Sequence, residues 1–347
     1  MPESLTDQNT ADQIASRQIV LAERPVGWPT DANFRLETAS LPAPADGQFL
    51  ARNIYMSVDP YMRGRMNDAA SYVAPFQIGK PLEGGAVARV VESRNPGFAV
   101  GDYVMTMNGW RESFLSDGRG ANKIDPRLAP ISAYLGVLGV PGMTGWYGLK
   151  YIGEPKPGET LVVSGAAGAT GSLVVQMGKI LGCRVVAVAG GEAKCQFLTE
   201  ELGADVAVDY KKETDLFAAL KAACPKGIDI YYENVGGEIL DHVLRLSNPF
   251  ARIPFCGMIS QYNNTSMGEG PRYMVMVIGK RIKIQGFIVS DHLAKMPEFL
   301  TEVGGWLKAG KLKYRETIVE GVENAPRAFL GLLRGENLGK MLVKVGE

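Results

Sequence analysis

The six-residue stretch Ala166-Ala167-Gly168-Ala169-Thr170-Gly171 carries the strongest chemical signal in the chain. It follows the short apolar run Thr160-Leu161-Val162-Val163-Ser164 and opens a segment of helical spacing, Gly171 to Leu181. Strand, glycine-rich turn and helix together set bare backbone N–H groups and a helix dipole against a pyrophosphate. Gly168 permits close approach and Gly171 lets the helix pack on the sheet, while Ala166 stands where the usual G-x-G-x-x-G has its first glycine. The competing reading is an ordinary tight α/β connection. Its place after the first strand of a repeating strand–helix unit favours the dinucleotide.

The next strand indicates which dinucleotide. A site for NAD ends this strand with Asp or Glu, which accepts from the ribose 2′-OH. Here Arg184–Ala189 runs into Gly190-Gly191, and Lys194 follows at the start of a helix. Small neutral residues leave room for a 2′-phosphate and a lysine supplies the opposite charge. Glu192 lies beyond the strand end and is expected to point away. Tyr210-Lys211-Lys212, after the third strand, offers a phenol and more positive charge, set against the reading of a solvated basic turn. NADPH/NADP+ is the expected cofactor.

Four tyrosines, Tyr55, Tyr61, Tyr72 and Tyr262, are candidates to face a substrate. A phenol is neutral at pH 7, with an ordinary pKa of about 10, and donates to an oxygen on which charge develops. Tyr262, in Ser260-Gln261-Tyr262-Asn263, follows the fifth strand at the carboxyl edge of the sheet, where ligands bind. It is the preferred donor. Tyr61 has the competing reading of a packing residue in the Asp59-Pro60 turn. Asp59 and Arg63 read as a structural ion pair anchoring that turn rather than an acid–base pair. Met66, Met105, Met107, Met258, Met274 and Met276 read mainly as core filler, with one or two at a substrate pocket. The loop from Asn263 to Arg272 is read equally as a lid and as plain surface.

These side chains need two kinds of scaffold. Up to Tyr134 the text is β-rich and irregular, with runs such as 48–55 and 85–91 separated by Pro42, Pro44, Pro60, Pro81 and Pro96. From Thr160 onward apolar strands alternate with helices: 184–189, 205–208, 228–232, 251–256 and 282–287. That pattern predicts a doubly wound parallel sheet covered on both faces. After a helix ending near Lys308 the tail returns to strand-like text at 340–345 and is expected to rejoin the first unit. At 347 residues the chain has room for two cores.

Bulk properties close off other classes. Lys plus Arg and Asp plus Glu number 37 each, so no global field recruits nucleic acid or anionic membrane. Glu3, Asp7 and Asp12 and the lack of an apolar run in the first twenty residues speak against a secretory or transit leader. No run reaches the roughly 20 apolar residues of a membrane span. A cytoplasmic protein is expected. Four cysteines, Cys183, Cys195, Cys224 and Cys256, form no C-x-x-C pair and read as structural, and no metal is expected.

The chain resembles the zinc-independent medium-chain dehydrogenase/reductases, in the branch of the prostaglandin reductases (leukotriene B4 12-hydroxydehydrogenase) and curcumin reductases. The matching text is Ser57-Val58-Asp59-Pro60-Tyr61-Met62-Arg63, Gly139-Val140-Pro141-Gly142-Met143-Thr144, the phosphate turn, and Tyr231-Tyr232-Glu233-Asn234-Val235-Gly236-Gly237. It continues through Ser260-Gln261-Tyr262-Asn263, Gln285-Gly286-Phe287-Ile288-Val289 and Asn337-Leu338-Gly339-Lys340. The resemblance implies an α/β protein with a GroES-like β-rich domain over residues 1–135, a Rossmann domain over 136–308, and a segment 309–347 returning to the first. It implies a homodimer through the edge of the cofactor-domain sheet. The turn residues Ala167 to Gly171, with Gly190 at the second strand's end, are the cofactor-binding backbone expected from the residues themselves, and by the likeness Lys194 and Tyr210 hold the 2′-phosphate. Thr144, Asn234, Val235, Phe287, Val289 and Asn337 line the nicotinamide and its ribose, and Tyr72 faces substrate from the loop after Arg63. The zinc alcohol dehydrogenases of the superfamily need Cys and His ligands. This sequence has Gly79-Lys80-Pro81-Leu82-Glu83-Gly84-Gly85 where the histidine would fall, and no cysteine before residue 183.

Hydride transfer without a metal favours a substrate already activated by conjugation. The expected reaction is therefore reduction of the carbon–carbon double bond of an α,β-unsaturated ketone or aldehyde. Hydride goes to the β-carbon while a tyrosine stabilises the enolate oxygen. A quinone oxidoreductase and a non-catalytic NADPH-binding module are the alternatives.

Overall fold

The computed structural model describes residues 13–266, 268 and 270–347. The N-terminal acidic residues Glu3, Asp7 and Asp12 therefore lie outside the described residues, as do Met267 and Glu269 of the loop between Asn263 and Arg272.

Thr160–Ser164, Arg184–Ala189, Val206–Asp209, Ile228–Tyr232, Ser247–Phe255 and Lys283–Gly286 form a six-stranded sheet in which every pairing is parallel. Counted along the chain, their spatial order is third, second, first, fourth, fifth, sixth. Thr160–Ser164 is buried at every position, and Arg184–Ala189 at all but its first. This explains their unbroken apolar text: helices cover both faces of the sheet. The order reverses between Thr160–Ser164 and Ile228–Tyr232, which pair side by side. Their carboxyl ends therefore flank a topological switch point, the crevice in which such sheets bind ligands.

A second sheet of seven strands is built from both ends of the chain. Phe49–Ser57 pairs antiparallel with Ala86–Ser93, which continues to Tyr103–Thr106 and Asn122–Ile124, while Ser113–Ser116 lies along Phe49–Ser57. From the tail, Lys340–Lys344 pairs antiparallel with Phe49–Ser57, placing Leu342 opposite Ser57, and Glu316–Glu320 lies parallel beyond it. The strand-like reading of the tail omits the helix Ala325–Arg334 between those two strands. That helix has Pro326 in its first turn and ends at Gly335 with φ +73°. It buries Ala325, Ala328, Phe329, Leu330 and Leu333 in a core with Phe34 and Trp110. Phe34 and Trp110 stack with ring centroids 5.9 Å apart, and Phe329 meets the Trp110 ring edge-on at 6.1 Å. A separate antiparallel pair, Ile14–Leu21 with Phe34–Leu41, packs on the same core and is not anticipated from the sequence pattern.

Among the described residues no helix is long and apolar enough to cross a membrane.

Candidate active site

The turn after Thr160–Ser164 is packed so closely at its end that only glycine fits at position 171. Gly165 has φ +57°, and Gly168 caps the helix Ala169–Ile180. The first helical N–H to find a carbonyl is that of Ser172, which donates to Gly168. The N–H groups of Ala169, Thr170 and Gly171 precede it and have no carbonyl one turn back. A Cβ on Gly171 would sit 2.7 Å from the Ala166 Cα, so glycine there fixes the depth at which the helix start meets the turn. Ala166 is fully buried and its N–H donates to the Val188 carbonyl, so a methyl group is accommodated where the common motif has glycine.

The far end of this crevice is basic. A Cβ on Gly190 would lie 2.9 Å from the Tyr210 ring and from the Lys211 side chain, so the bare backbone at the strand end lets these two close in. The Lys194 ammonium is half-buried and donates to the Gly335 carbonyl at 2.6 Å. Burial, then the neighbouring Lys211, pulls its pKa below the ordinary lysine value. Among the described residues no carboxylate pairs with Lys194; Asp209, at the end of the third strand, instead accepts from the Gly191 and Lys211 N–H groups. Glu192 is exposed at the start of its own helix. A dianionic group has charge to meet here and a neutral hydroxyl does not. The donor set fits a 2′-phosphate.

At the switch point the structure adds a residue the sequence reading quotes without assigning a role. Glu233 follows Ile228–Tyr232 and is 0% exposed. Its Oε1 accepts from Val235 N at 2.6 Å, Gly236 N at 2.9 Å, Tyr231 Oη at 2.9 Å and Ser164 Oγ at 3.0 Å, while Oε2 is buried without a partner. Burial raises its pKa against the pull of these donors. Ser164 Oγ in turn accepts from Asn234 N at 2.9 Å, and Asn234 Nδ2 donates to the Ser164 carbonyl at 2.7 Å. Asn234 and Val235 are thus locked against the phosphate turn.

The remaining expected residues gather around the same crevice from different elements. Tyr232 Oη donates to the Thr144 carbonyl at 2.8 Å, and both Tyr232 and Phe287 press on Gly148, where a Cβ would lie 2.7 Å from each. Val289 packs on the core beneath. Asn337 is buried and donates to the Gly339 carbonyl at 2.7 Å, and Gly339 N donates to the Ala167 carbonyl at 2.8 Å. The returning tail therefore touches the phosphate turn itself.

Tyr72 lies within electrostatic reach of both Tyr61 and Tyr262. Tyr262 is largely buried, and its hydroxyl accepts from Met258 N at 3.4 Å. Burial raises its pKa, with further contributions from Cys256, Tyr72 and Glu233. Tyr72 is 61% exposed in the loop after Arg65, and partial desolvation raises its pKa. Tyr61 packs on the N-terminal core, and burial with the nearby Asp59 charge pushes its pKa up. Tyr55 sits in the strand Phe49–Ser57 and leans on the other core; no hydrogen bond or ring contact joins it to Tyr262 among the described residues. Cys256 lies beside this group, its thiol pushed up to about 12 by burial. Cys183, Cys195 and Cys224 are free thiols elsewhere. Of the methionines, Met258 touches the site through its N–H to Tyr262, Met66 is core, and Met107 and Met274 are exposed.

The expected Asp59–Arg63 ion pair does not form. Asp59 pairs with the buried Lys340 at 2.9 Å, whose ammonium also donates to the Val58 carbonyl at 2.9 Å, and Ser57 Oγ donates to the other carboxylate oxygen. Turn chemistry suggests a local partner for Asp59. The tail strand Lys340–Lys344 supplies a closer cation from 281 positions away. Arg63 makes neutral contacts instead. Among the described residues no group of three or more His, Cys, Asp and Glu is placed to hold a metal ion.

Residues 17–124 match the family described as the N-terminal domain of oxidoreductase, and residues 169–304 the family described as zinc-binding dehydrogenase. The chain is 50% identical over 335 residues to the NADPH-dependent curcumin reductase of Escherichia coli (strain K12), covering 95% of this chain and 97% of that one. It is 43% identical over 340 residues to the NADP(+)-dependent 2-alkenal reductase of Nicotiana tabacum, covering 96% and 99%. Among solved structures, CurA from Vibrio vulnificus in complex with NADPH superposes with a TM-score of 0.92 at 49% identity, over 95% of this chain and 99% of that one.

Proposed function

For a chain that belongs to the medium-chain dehydrogenase/reductases, in the branch of the curcumin and prostaglandin reductases, we propose NADPH-dependent reduction of the conjugated double bond of α,β-unsaturated ketones and aldehydes. The observation that carries this reading is one crevice with two chemistries. At one end the half-buried Lys194 ammonium stands without a carboxylate partner among the described residues, and beyond the fifth strand the Tyr262 hydroxyl lies against Met258 N, beside Gly257. Relatives bearing the names curcumin reductase, 2-alkenal reductase and prostaglandin reductase share most of the chain and support it.

The residues divide the work. Ala167, Gly168, Ala169, Thr170 and Gly171 offer backbone N–H groups to the pyrophosphate, and Gly190, Lys194 and Tyr210 take the 2′-phosphate. Thr144, Asn234, Val235, Phe287, Val289 and Asn337 shape the nicotinamide end. A bound cofactor would supply a hydride to the β-carbon of the substrate, and the α-carbon of the resulting enolate would then take a proton from solvent. Tyr262 donates its hydroxyl proton in a hydrogen bond to the carbonyl oxygen as negative charge collects there, with Tyr72 beside it and Tyr55 and Tyr61 further back as substrate-side packing. Because burial holds the Tyr262 phenol neutral beyond the ordinary tyrosine range, the donor keeps its proton at working pH. The site needs no metal, since conjugation already activates the substrate. In this reading residues 136–308 hold the cofactor, while 1–135 and the returning 309–347 form the substrate side of a cytoplasmic homodimer.

The test is Tyr262→Phe, assayed with an enone, an enal and a benzoquinone, with product analysis to identify the reduced bond. One lost charge-stabilising donor lowers kcat by about 10²- to 10³-fold, while NADPH affinity holds. Unchanged turnover moves the donor role elsewhere. Quinone consumption without enone reduction reassigns the substrate class.

A further inference from the structure

Segments remote in sequence meet on one buried guanidinium. Arg63 is 2% exposed. Its Nη2 donates to the Gly27 carbonyl at 2.7 Å, its Nη1 to Asn67 Oδ1 at 2.7 Å, and its Nε to Asn263 Oδ1 at 3.0 Å. No carboxylate pairs with it among the described residues, since the nearby Asp59 is engaged by Lys340. A buried cation without counter-charge is expensive, and a single planar fork that satisfies separated acceptors is a geometric device rather than a charge pair.

What the fork holds is the chain on either side of the crevice. Asn263 directly follows Tyr262. Gly27 has φ +73°, and a Cβ there would lie 3.2 Å from Thr265 Cγ2, so the segment 26–28 rests on the chain just after Asn263. Tyr262 has little of its own to hold it: its hydroxyl accepts one 3.4 Å contact, and its N–H donates to Ile259 at 3.3 Å. The loop is instead pinned on both sides of the tyrosine. Before it, Ser260 N and Oγ donate to the Val235 carbonyl, on the parallel-sheet side. After it, Asn263 accepts from Arg63, on the β-rich side.

We propose that Arg63 is a positioning residue which, through Asn263 and the Gly27 carbonyl, fixes Tyr262 over the crevice and ties the 26–28 segment to the substrate mouth. The inference rests on Tyr262 being the donor, and the experiment separates the two. Asn263→Ala removes the acceptor from a partly exposed loop and leaves the buried arginine in place, so folding is not at stake as it is for Arg63→Lys. Asn263→Asp restores an acceptor in the same position. Each is made in the native chain and in the Tyr262→Phe background. Turnover, NADPH dissociation constant and amide hydrogen exchange over 258–266 are measured for every variant.

Asn263→Ala lowers kcat by about tenfold in the native background, with the NADPH dissociation constant unchanged, and adds less than about twofold once Tyr262 is phenylalanine, because residues that act as a unit are non-additive. Exchange at 262–265 quickens, and Asn263→Asp restores both readouts. Equal losses in the two backgrounds, or unchanged exchange, overturn the proposal. Full turnover in Tyr262→Phe alone overturns the donor reading. The exchange result then still decides the tie, upheld if exchange quickens and overturned if it does not.

Discussion

A positive charge at Lys194 is costly to maintain while no anion is near, and this is the residue-scale mark of selectivity. Burial and Lys211 both act against its ammonium, so in the free protein it loses its proton at a lower pH than an ordinary lysine. A 2′-phosphate binds the protonated form. NADPH affinity therefore falls as pH rises toward the ordinary lysine range, starting earlier than a free lysine would allow, while NADH affinity stays level. Lys194→Ala weakens NADPH by roughly 10- to 100-fold, the range expected for losing a charge-assisted hydrogen bond, and removes the pH trend. Isothermal titration with both dinucleotides between neutral and alkaline pH checks this, and a trend that survives in the alanine variant assigns the charge to another lysine. Lys194 is legible in the sequence because it follows Gly190-Gly191, which stand at the strand end where an NAD site keeps an acid. Glu233 is less so: only the fold shows that four donors converge on one of its oxygens. Arg63 reads from the sequence as the ion-pair partner of Asp59, whereas two of its partners come from loops 36 and 200 positions away, which nothing in local spacing announces.

At the scale of elements, the strand–turn–helix unit shows why some boundaries read cleanly and others do not. Thr160–Ser164 and Ile228–Tyr232 are buried runs flanked by turn residues, and their observed ends coincide with the expected ones. Asp215 is the N-cap of the helix Leu216–Ala223, its carboxylate accepting from Ala218 N at 2.9 Å. The helix Ala325–Arg334 had the signals for recognition, Pro326 at its start, Gly335 at its end and apolar residues three and four apart. The strand text beyond it dominates a short tail, and the strand pairing that makes the helix necessary is non-local. The phosphate turn makes a sharper prediction. Since a Cβ on Gly171 would meet the Ala166 Cα at 2.7 Å, backbone must move to admit it. Gly171→Ala costs roughly 1–3 kcal/mol by overpacking, lowers Tm by several degrees, and weakens NADPH because the N–H groups of Ala169 and Thr170 lose their aim. Calorimetry with and without NADPH measures both. Gly158→Ala is no substitute for it as a comparison, since Gly158 has open space around it but φ +86°. Gly304, in the helix Met296–Lys308 with open space and ordinary φ, is the matched control expected to keep both stability and binding.

At the scale of the whole molecule, the two edges of the parallel sheet differ in a way that predicts assembly. One edge, Val206–Asp209, runs into Lys211, Lys212 and Glu213, charges that discourage pairing with another chain. The other, Lys283–Gly286, is bonded to Ser247–Phe255 on one side and leaves its outer row of N–H and C=O groups open. On the strand Ser247–Phe255 and on the helix Val275–Lys280 that packs against it lie apolar side chains that water does not favour: Val275 is 67% exposed, Ile278 78% and Phe250 63%. An open strand edge flanked by exposed apolar surface would be covered by a second copy of itself, with the strands running antiparallel about a two-fold axis. Light scattering on the purified protein is expected to return twice the 37.4 kDa chain mass. Val275→Lys combined with Ile278→Lys sets like charges against each other across that axis and shifts the mass to the monomer. Circular dichroism stays native, because both residues lie on the outer face of the short helix Val275–Lys280, none of whose residues is buried. A dimer that persists in the double variant places the interface on another face. A native protein that is monomeric at micromolar concentration removes the edge from the account, leaving Lys283–Gly286 as a strand protected by Lys283 alone.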